Sequence, residues 1–153
     1  MPAKTVIKLE NVWKTYKMDE VEVHALSGIN LDVKEGEFLA ILGKSGTGKS
    51  TLLNLVGCLD LPTRGKVYLD GRDISTLDES ELARIRGRKI GFVFQTFNLI
   101  ASLSALENVM LPMIFQGIDK NIRIERAKKN LEIVGLKERI DHKQSELSGG
   151  ERQ

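Results

Sequence analysis

Val6-Ile7-Lys8-Leu9-Glu10-Asn11-Val12 alternates apolar and polar side chains, a period of two that predicts a half-buried strand. Val23 to Val33 repeats that texture, interrupted at Ser27-Gly28. There Ile29, Leu31 and Val33 alternate with Asn30, Asp32 and Lys34, so one face of the second strand is wet. Glu35-Gly36 turns the chain into Phe38-Leu39-Ala40-Ile41-Leu42, an unbroken apolar run that predicts a strand buried on both faces. A helix is expected from Lys49 and should end between Gly57 and Asp60, with Leu59-Asp60-Leu61-Pro62 as its exit. Lys66–Leu69 reads as a short strand closed by the Asp70-Gly71 hairpin signal. Asp78 to Arg88 reads as a polar helix with Asp78 and Glu81 as a capping box. Ile90–Phe94 returns to strand character and runs into Gln95.

Beyond Gln95 the period changes. Ser104 and Glu107 form a second cap signal, for a helix whose apolar face includes Leu106, Val109, Met110 and Met113. From Ile122 to Val134, charges surround Ile124, Ala127, Leu131 and Val134 at helical spacing. The first two-thirds is therefore strand-rich and the last third helical, without internal repeats or low-complexity tracts.

Composition narrows the function classes. A chain of 153 residues suits one domain of ordinary size. Its net charge of +2 comes from interspersed acids and bases, with no basic tail or stripe, so no nucleic-acid partner is expected. The lone Cys58, among Leu55, Val56 and Leu59 in the helix after Lys49, is expected to be a small buried apolar residue. His24 and His142 read as surface residues. Met1 to Val12 lacks the apolar segment of a secretory signal. The most apolar region, Val109 to Ile118, is too short to span a bilayer and is interrupted by Pro112 and Gln116. The polypeptide is expected to be soluble and cytoplasmic, with any membrane connection made through a partner.

The strongest chemical signal is Gly43-Lys44-Ser45-Gly46-Thr47-Gly48-Lys49-Ser50-Thr51, which fills the phosphate-loop pattern G-x-x-x-x-G-K-[ST]. It stands between an apolar strand-like run and a helix-like run, the setting the motif requires. Gly43, Gly46 and Gly48 let the backbone curl closely around an anion, and the free N–H groups of the following helix attract it. Lys49 is expected to reach the β- and γ-phosphates and the Ser50 hydroxyl to ligate Mg²⁺. The alternative is a Gly/Ser-rich turn between strand and helix.

A second motif, Leu147-Ser148-Gly149-Gly150-Glu151-Arg152-Gln153, closes the chain. Alone, Ser-Gly-Gly-Glu is more often a loop and helix cap than an anion site. Paired with the phosphate loop, it makes the chain resemble the nucleotide-binding subunit of ABC transporters. The first motif resembles their Walker A, and Leu147–Glu151 their signature sequence, with Glu151 where many members carry Gln. Gln95-Thr96-Phe97-Asn98-Leu99 and Leu106-Glu107-Asn108-Val109 look like the lipoprotein-release and macrolide-export branch, LolD/MacB-like.

The resemblance implies an α/β P-loop NTPase fold of the ABC ATPase type. It has an N-terminal antiparallel β subdomain, a partial RecA-like core and a helical subdomain. Residues 1–95 would hold the β subdomain and the core from Walker A to Q-loop, and residues 96–153 the helical part ending at the signature. The nucleotide site would comprise Tyr16, Gly43, Ser45, Gly46, Thr47, Gly48, Lys49, Ser50 and Thr51, with ATP and Mg²⁺ bound. Tyr16 stands where the family places an adenine-stacking aromatic, a contact worth roughly 1–3 kcal/mol; read alone it is equally an ordinary core or edge-strand tyrosine. Gln95 matches the Q-loop glutamine, near the Mg²⁺ and the attacking water, so Lys49 and Gln95 are the catalytic candidates and Ser50 and Gln95 the metal ligands. Ser148, Gly149, Gly150 and Glu151 would cap the γ-phosphate bound by a second copy in a head-to-tail dimer, and transmembrane permease subunits would be the other partners. That places the protein peripherally on the inner face of the cell membrane.

Relatives continue past the signature through a helix and an apolar strand ending in Asp-Glu, then a D-loop and a switch histidine. No run here supplies these, so the chain reads as a fragment. It is expected to bind nucleotide but to hydrolyse it poorly, with Phe38–Leu42 and Ile90–Phe94 left uncovered. The competing readings are a soluble ABC-type ATPase serving DNA or ribosomes, and an unrelated P-loop kinase or GTPase.

Overall fold

A computed structural model describes residues 3–153. The chain divides into two compact units, one running to Gly91 and the other from Phe92 to Gln153, so Gln95 belongs with the helical unit.

The first unit is built on a four-stranded antiparallel sheet in the order β2-β1-β3-β4. Its frame is a long hairpin, β1 (Thr5–Met18) and β2 (Val21–Lys34), paired from Thr5 opposite Lys34 to Met18 opposite Val21. The second strand runs unbroken through Ser27-Gly28. The irregularity expected there is a bulge, with Gly28 at φ 69° and Asn11 on β1 at φ 47°. The bulge changes the phase of β1: Leu9 and Val12, which regular alternation would put on opposite faces, are both buried. The Asn30 side-chain oxygen accepts a hydrogen bond from the Asn11 N–H at 2.8 Å and so satisfies an amide at the bulge.

β3 (Arg64–Leu69) and β4 (Arg72–Asp73) form the small hairpin foreseen at Asp70-Gly71. Asp70 at φ 50° and Gly71 at φ 79° give the two positive dihedrals of a type I′ turn. Asp70 is held by Lys4 at 3.0 Å and by Lys89, so the turn is fastened to both ends of its unit.

Two helices complete the unit. α1 (Lys49–Val56) buries Leu52 and Leu55 against Leu9, Val12, Leu26 and Val67 of the sheet. α2 (Glu79–Lys89) starts with the expected capping box of Asp78 and Glu81 and buries Leu82 in the same core. Cys58, at φ 54°, is buried as foreseen but lies outside the helix, just beyond the Gly57 cap. Arg86 of α2 donates to the Cys58 carbonyl at 2.8 Å and satisfies that corner.

The strands expected at Phe38–Leu42 and Ile90–Phe94 do not form. An apolar strand is stable and buried only when neighbours pair with its backbone and cover both faces. Among the described residues neither segment has a strand partner, and Phe38, Leu42 and Val93 are 94%, 90% and 82% exposed. Ile41 and Ile90 still pack at the margin of the core.

The second unit is helical. α3 (Ala105–Phe115) carries the Ser104–Glu107 capping box and packs on α4 (Lys120–Ile133), capped by Asp119. Ala105, Leu131 and Leu147 form its small core, flanked by half-buried Leu106, Val109, Leu136 and Ile140. Val134, expected on the apolar face, instead caps α4 and is exposed. His142 is half-buried rather than superficial, and its carbonyl accepts the Ala105 N–H at 2.8 Å. Asn108 ties the preceding loop to α3: its amide donates to the Ile100, Leu103 and Ser104 carbonyls and accepts from the Ile100 N–H. Ser148 caps a last turn of helix, α5 (Gly149–Arg152). No helix among the described residues is long and apolar enough to cross a membrane.

Candidate functional site: the phosphate loop

Gly48 is the N-cap of α1, at φ 85°, in the left-handed region. A Cβ on Gly48 would stand 2.3 Å from the Ala25 carbonyl oxygen and 2.9 Å from Leu26 Cδ2, so the loop lies against β2 where only glycine fits. Gly46 also has a positive φ of 81°, but a Cβ there meets nothing. Thr47 Oγ1 donates to the Lys44 carbonyl at 2.9 Å and closes the curl. Lys49 Nζ folds back over it, donating to the Gly43 and Lys44 carbonyls at 2.8 and 2.7 Å.

The start of α1 is left bare. The other helices of eight residues or more begin with a side chain, Asp78, Ser104 or Asp119, that accepts a backbone N–H. α1 has no such acceptor and no acid in its first turn. The first amide bonded back to its cap is that of Leu52, to the Gly48 carbonyl at 2.8 Å. The N–H groups of Lys49, Ser50 and Thr51 therefore remain as the free donors of a helix start, with the positive end of the helix dipole behind them. Ser45, Ser50 and the loop around them are exposed. Bare amides, an ammonium and hydroxyls with no competing carboxylate are the donor set that a polyphosphate with a hard cation requires.

Tyr16 is half-buried on β1. Its hydroxyl donates to Asp60 Oδ2 at 2.9 Å, and Lys14 Nζ lies 4.9 Å from its ring centroid. Lys14 also reaches Asp60 Oδ1 at 2.5 Å. Burial and the Asp60 hydrogen bond push the Tyr16 phenol up, opposed by the nearby Thr51 hydroxyl. Burial also pushes the Asp60 carboxyl up, but hydrogen bonds from Lys14, Tyr16 and the Leu61 N–H outweigh it and hold the group below its usual range. The sequence gives no sign of Asp60 or Lys14; a helix exit and a strand lysine meet only through the fold.

Gln95 is exposed in a bend of the second unit. In that unit the signature residues form a capping box: the Glu151 carboxylate accepts the Ser148 N–H at 2.7 Å, and Ser148 Oγ accepts the Glu151 N–H at 3.4 Å. Arg139 donates to Glu151 at 3.1 Å, while Gly149 and Gly150 are exposed. The Ser148 backbone and hydroxyl bonds, then Arg139, lower the Glu151 carboxyl to about 2 from an ordinary 4.5. Because the folded value is depressed, Glu151 supports this turn above pH 4.5 and loses that support as pH falls toward about 2. Carboxyl NMR should place the Glu151 midpoint near 2, and Glu151→Gln should abolish the acid-dependent loosening of the turn; a midpoint near 4.5 would refute the capping geometry.

The family model described as ABC transporter matches residues 26–153, which takes in both motifs. The chain belongs to the ABC transporter family. It is 52% identical over 150 residues to an ABC transporter ATP-binding protein of Thermotoga maritima, covering 98% of this chain and 64% of that protein. It is 48% identical over 153 residues to the macrolide export ATP-binding/permease protein MacB of Brucella abortus, covering all of this chain and 24% of MacB. A solved dimer of the ATP-binding cassette MJ0796, in a post-hydrolysis state bound to ADP and Pi, superposes with a TM-score of 0.87 at 51% identity. That match covers 95% of this chain and 65% of the MJ0796 chain. The α/β ABC ATPase fold implied by the sequence is thus the fold of this ABC chain, which spans somewhat less than two-thirds of the Thermotoga and MJ0796 chains and about a quarter of MacB.

Proposed function

We propose that this chain is the nucleotide-binding part of an ABC transporter ATPase subunit. The observation that carries the proposal is the uncapped start of α1, presented by a glycine loop that no side-chain acceptor closes. The bare amides of Lys49, Ser50 and Thr51 hold the phosphates of ATP, Lys49 neutralises the β/γ region, and Tyr16 stacks on the base. When bound, Mg²⁺ draws charge from the triphosphate; Ser50 and Gln95 would hold it. In the full-length protein Lys49 and Gln95 act in hydrolysis mainly by positioning and charge stabilisation. Ser148, Gly149, Gly150 and Glu151 face the γ-phosphate held by a second copy, so ATP joins two subunits and hydrolysis releases them. The MJ0796 cassette solved as a dimer and the MacB fusion of ATP-binding and permease functions support this reading. The protein then works peripherally on the inner face of the membrane, against transmembrane permease subunits.

The test is affinity purification of the tagged full-length protein from detergent-solubilised membranes. A multi-span partner that stimulates phosphate release from ATP is the expected result. Recovery of ribosomes or DNA in its place would favour a soluble ABC-type ATPase and refute the transporter assignment.

A further inference from the structure

We propose that Asp60 and Lys14 are positioning residues for the nucleotide base, clamping the Tyr16 ring beside the start of α1 so that it is held ready to stack on a purine. The proposal rests on the nucleotide-binding reading above and adds residues to it. A free tyrosine loses side-chain entropy when it stacks; one already fixed by packing and hydrogen bonds loses little.

Every polar atom of the clamp is used. Asp60 Oδ2 accepts the Tyr16 hydroxyl at 2.9 Å, and Oδ1 accepts both Lys14 Nζ at 2.5 Å and the Leu61 N–H at 2.7 Å. Lys14 Nζ donates onward to the Leu61 carbonyl at 2.9 Å, and its side chain is only 12% exposed. An ammonium so covered is costly unless paired, so the geometry is over-determined. Lys14 also lies over one face of the ring, 4.9 Å from the centroid, so the base would stack on the opposite face.

The segment that carries Asp60 is itself fastened to β1. The Thr63 N–H donates to the Trp13 carbonyl at 2.8 Å, and the Thr15 N–H donates to Thr63 Oγ1 at 3.0 Å. Thr51, in the first turn of α1, lies near enough for its hydroxyl to act on the Tyr16 phenol. The same turn thus presents the phosphate donors and abuts the clamped ring.

Asp60→Asn and Tyr16→Phe in the full-length protein separate the base contribution from the phosphate contribution. Calorimetric titration with MgATP should show each variant about fivefold weaker than wild type, the cost of ordering one freed side chain on binding. Affinity for inorganic tripolyphosphate, which has phosphates but no base, should not change. The double variant should be no weaker than either single one, since both remove the same contact. Tyrosine absorbance should also show the Tyr16 phenol ionising closer to its ordinary value in Asp60→Asn. Unchanged MgATP affinity in both variants, or equal losses for MgATP and tripolyphosphate, would overturn the clamp. If Asp60→Asn fails to fold, Tyr16→Phe decides alone, because it keeps the ring and the Lys14–Asp60 pair. A wild-type protein that binds neither ligand would overturn the nucleotide reading itself, a separate outcome.

Discussion

Lys49→Ala is expected to abolish nucleotide binding while leaving the fold intact. Among the described residues the Lys49 ammonium donates to the Gly43 and Lys44 carbonyls, on an exposed loop. In the proposed site it exchanges those bonds for phosphate oxygens. Two charge-assisted hydrogen bonds at about 1.5–3 kcal/mol each amount to roughly a hundredfold in affinity or more. Fluorescence titration with a labelled ATP should therefore show no saturation at concentrations that saturate the wild type. Thermal unfolding should shift by no more than a degree or two. Binding at wild-type strength would mean that the loop is only a turn between sheet and helix.

Gly48→Ala should be the most damaging substitution in the loop, and for a different reason. An alanine at φ 85° carries a left-handed penalty of about 1–2 kcal/mol. Its Cβ would also sit 2.3 Å from the Ala25 carbonyl oxygen, a backbone atom fixed in β2. The loop must lift from the strand, with overpacking costs of about 1–3 kcal/mol on top. A midpoint drop on the order of 10 °C and loss of ATP binding are expected. Gly46→Ala provides the internal control, because its φ is just as positive but its Cβ would meet nothing. It should lose only the smaller, left-handed share. Equal effects at the two positions would contradict the packing of the loop against β2.

The contrast between these two glycines marks how far the sequence could be read. The spacing of Gly43, Gly48, Lys49 and Ser50 located the glycine loop and the helix start that follows it, and phosphate binding needs those residue types in that order. The capping boxes at Asp78, Ser104 and Ser148 were equally legible, since a cap is a local exchange of hydrogen bonds over three residues. What could not be read was non-local. Nothing in the order of residues distinguishes the supporting role of Gly48 against Ala25 from the open position of Gly46. Nor does it show Asp60 meeting Tyr16 across 44 positions of chain. Phe38–Leu42 and Ile90–Phe94 fail as strands for the same reason: their apolar pattern specifies burial, but a strand exists only with a paired neighbour. The bulge at Asn11 is a milder case: the sequence shows the interruption at Ser27-Gly28 of β2 but not the slip that faces it on β1.

The most direct measurement is an amide NMR titration of the isotopically labelled full-length protein with inorganic tripolyphosphate and then with MgATP. If main-chain donors at the start of α1 grip the phosphates, the largest shifts for both ligands fall on the amides of Gly46 to Thr51, with Tyr16 responding to MgATP alone. Shifts that leave those amides untouched, or appear only elsewhere in the molecule, would contradict the phosphate-loop site.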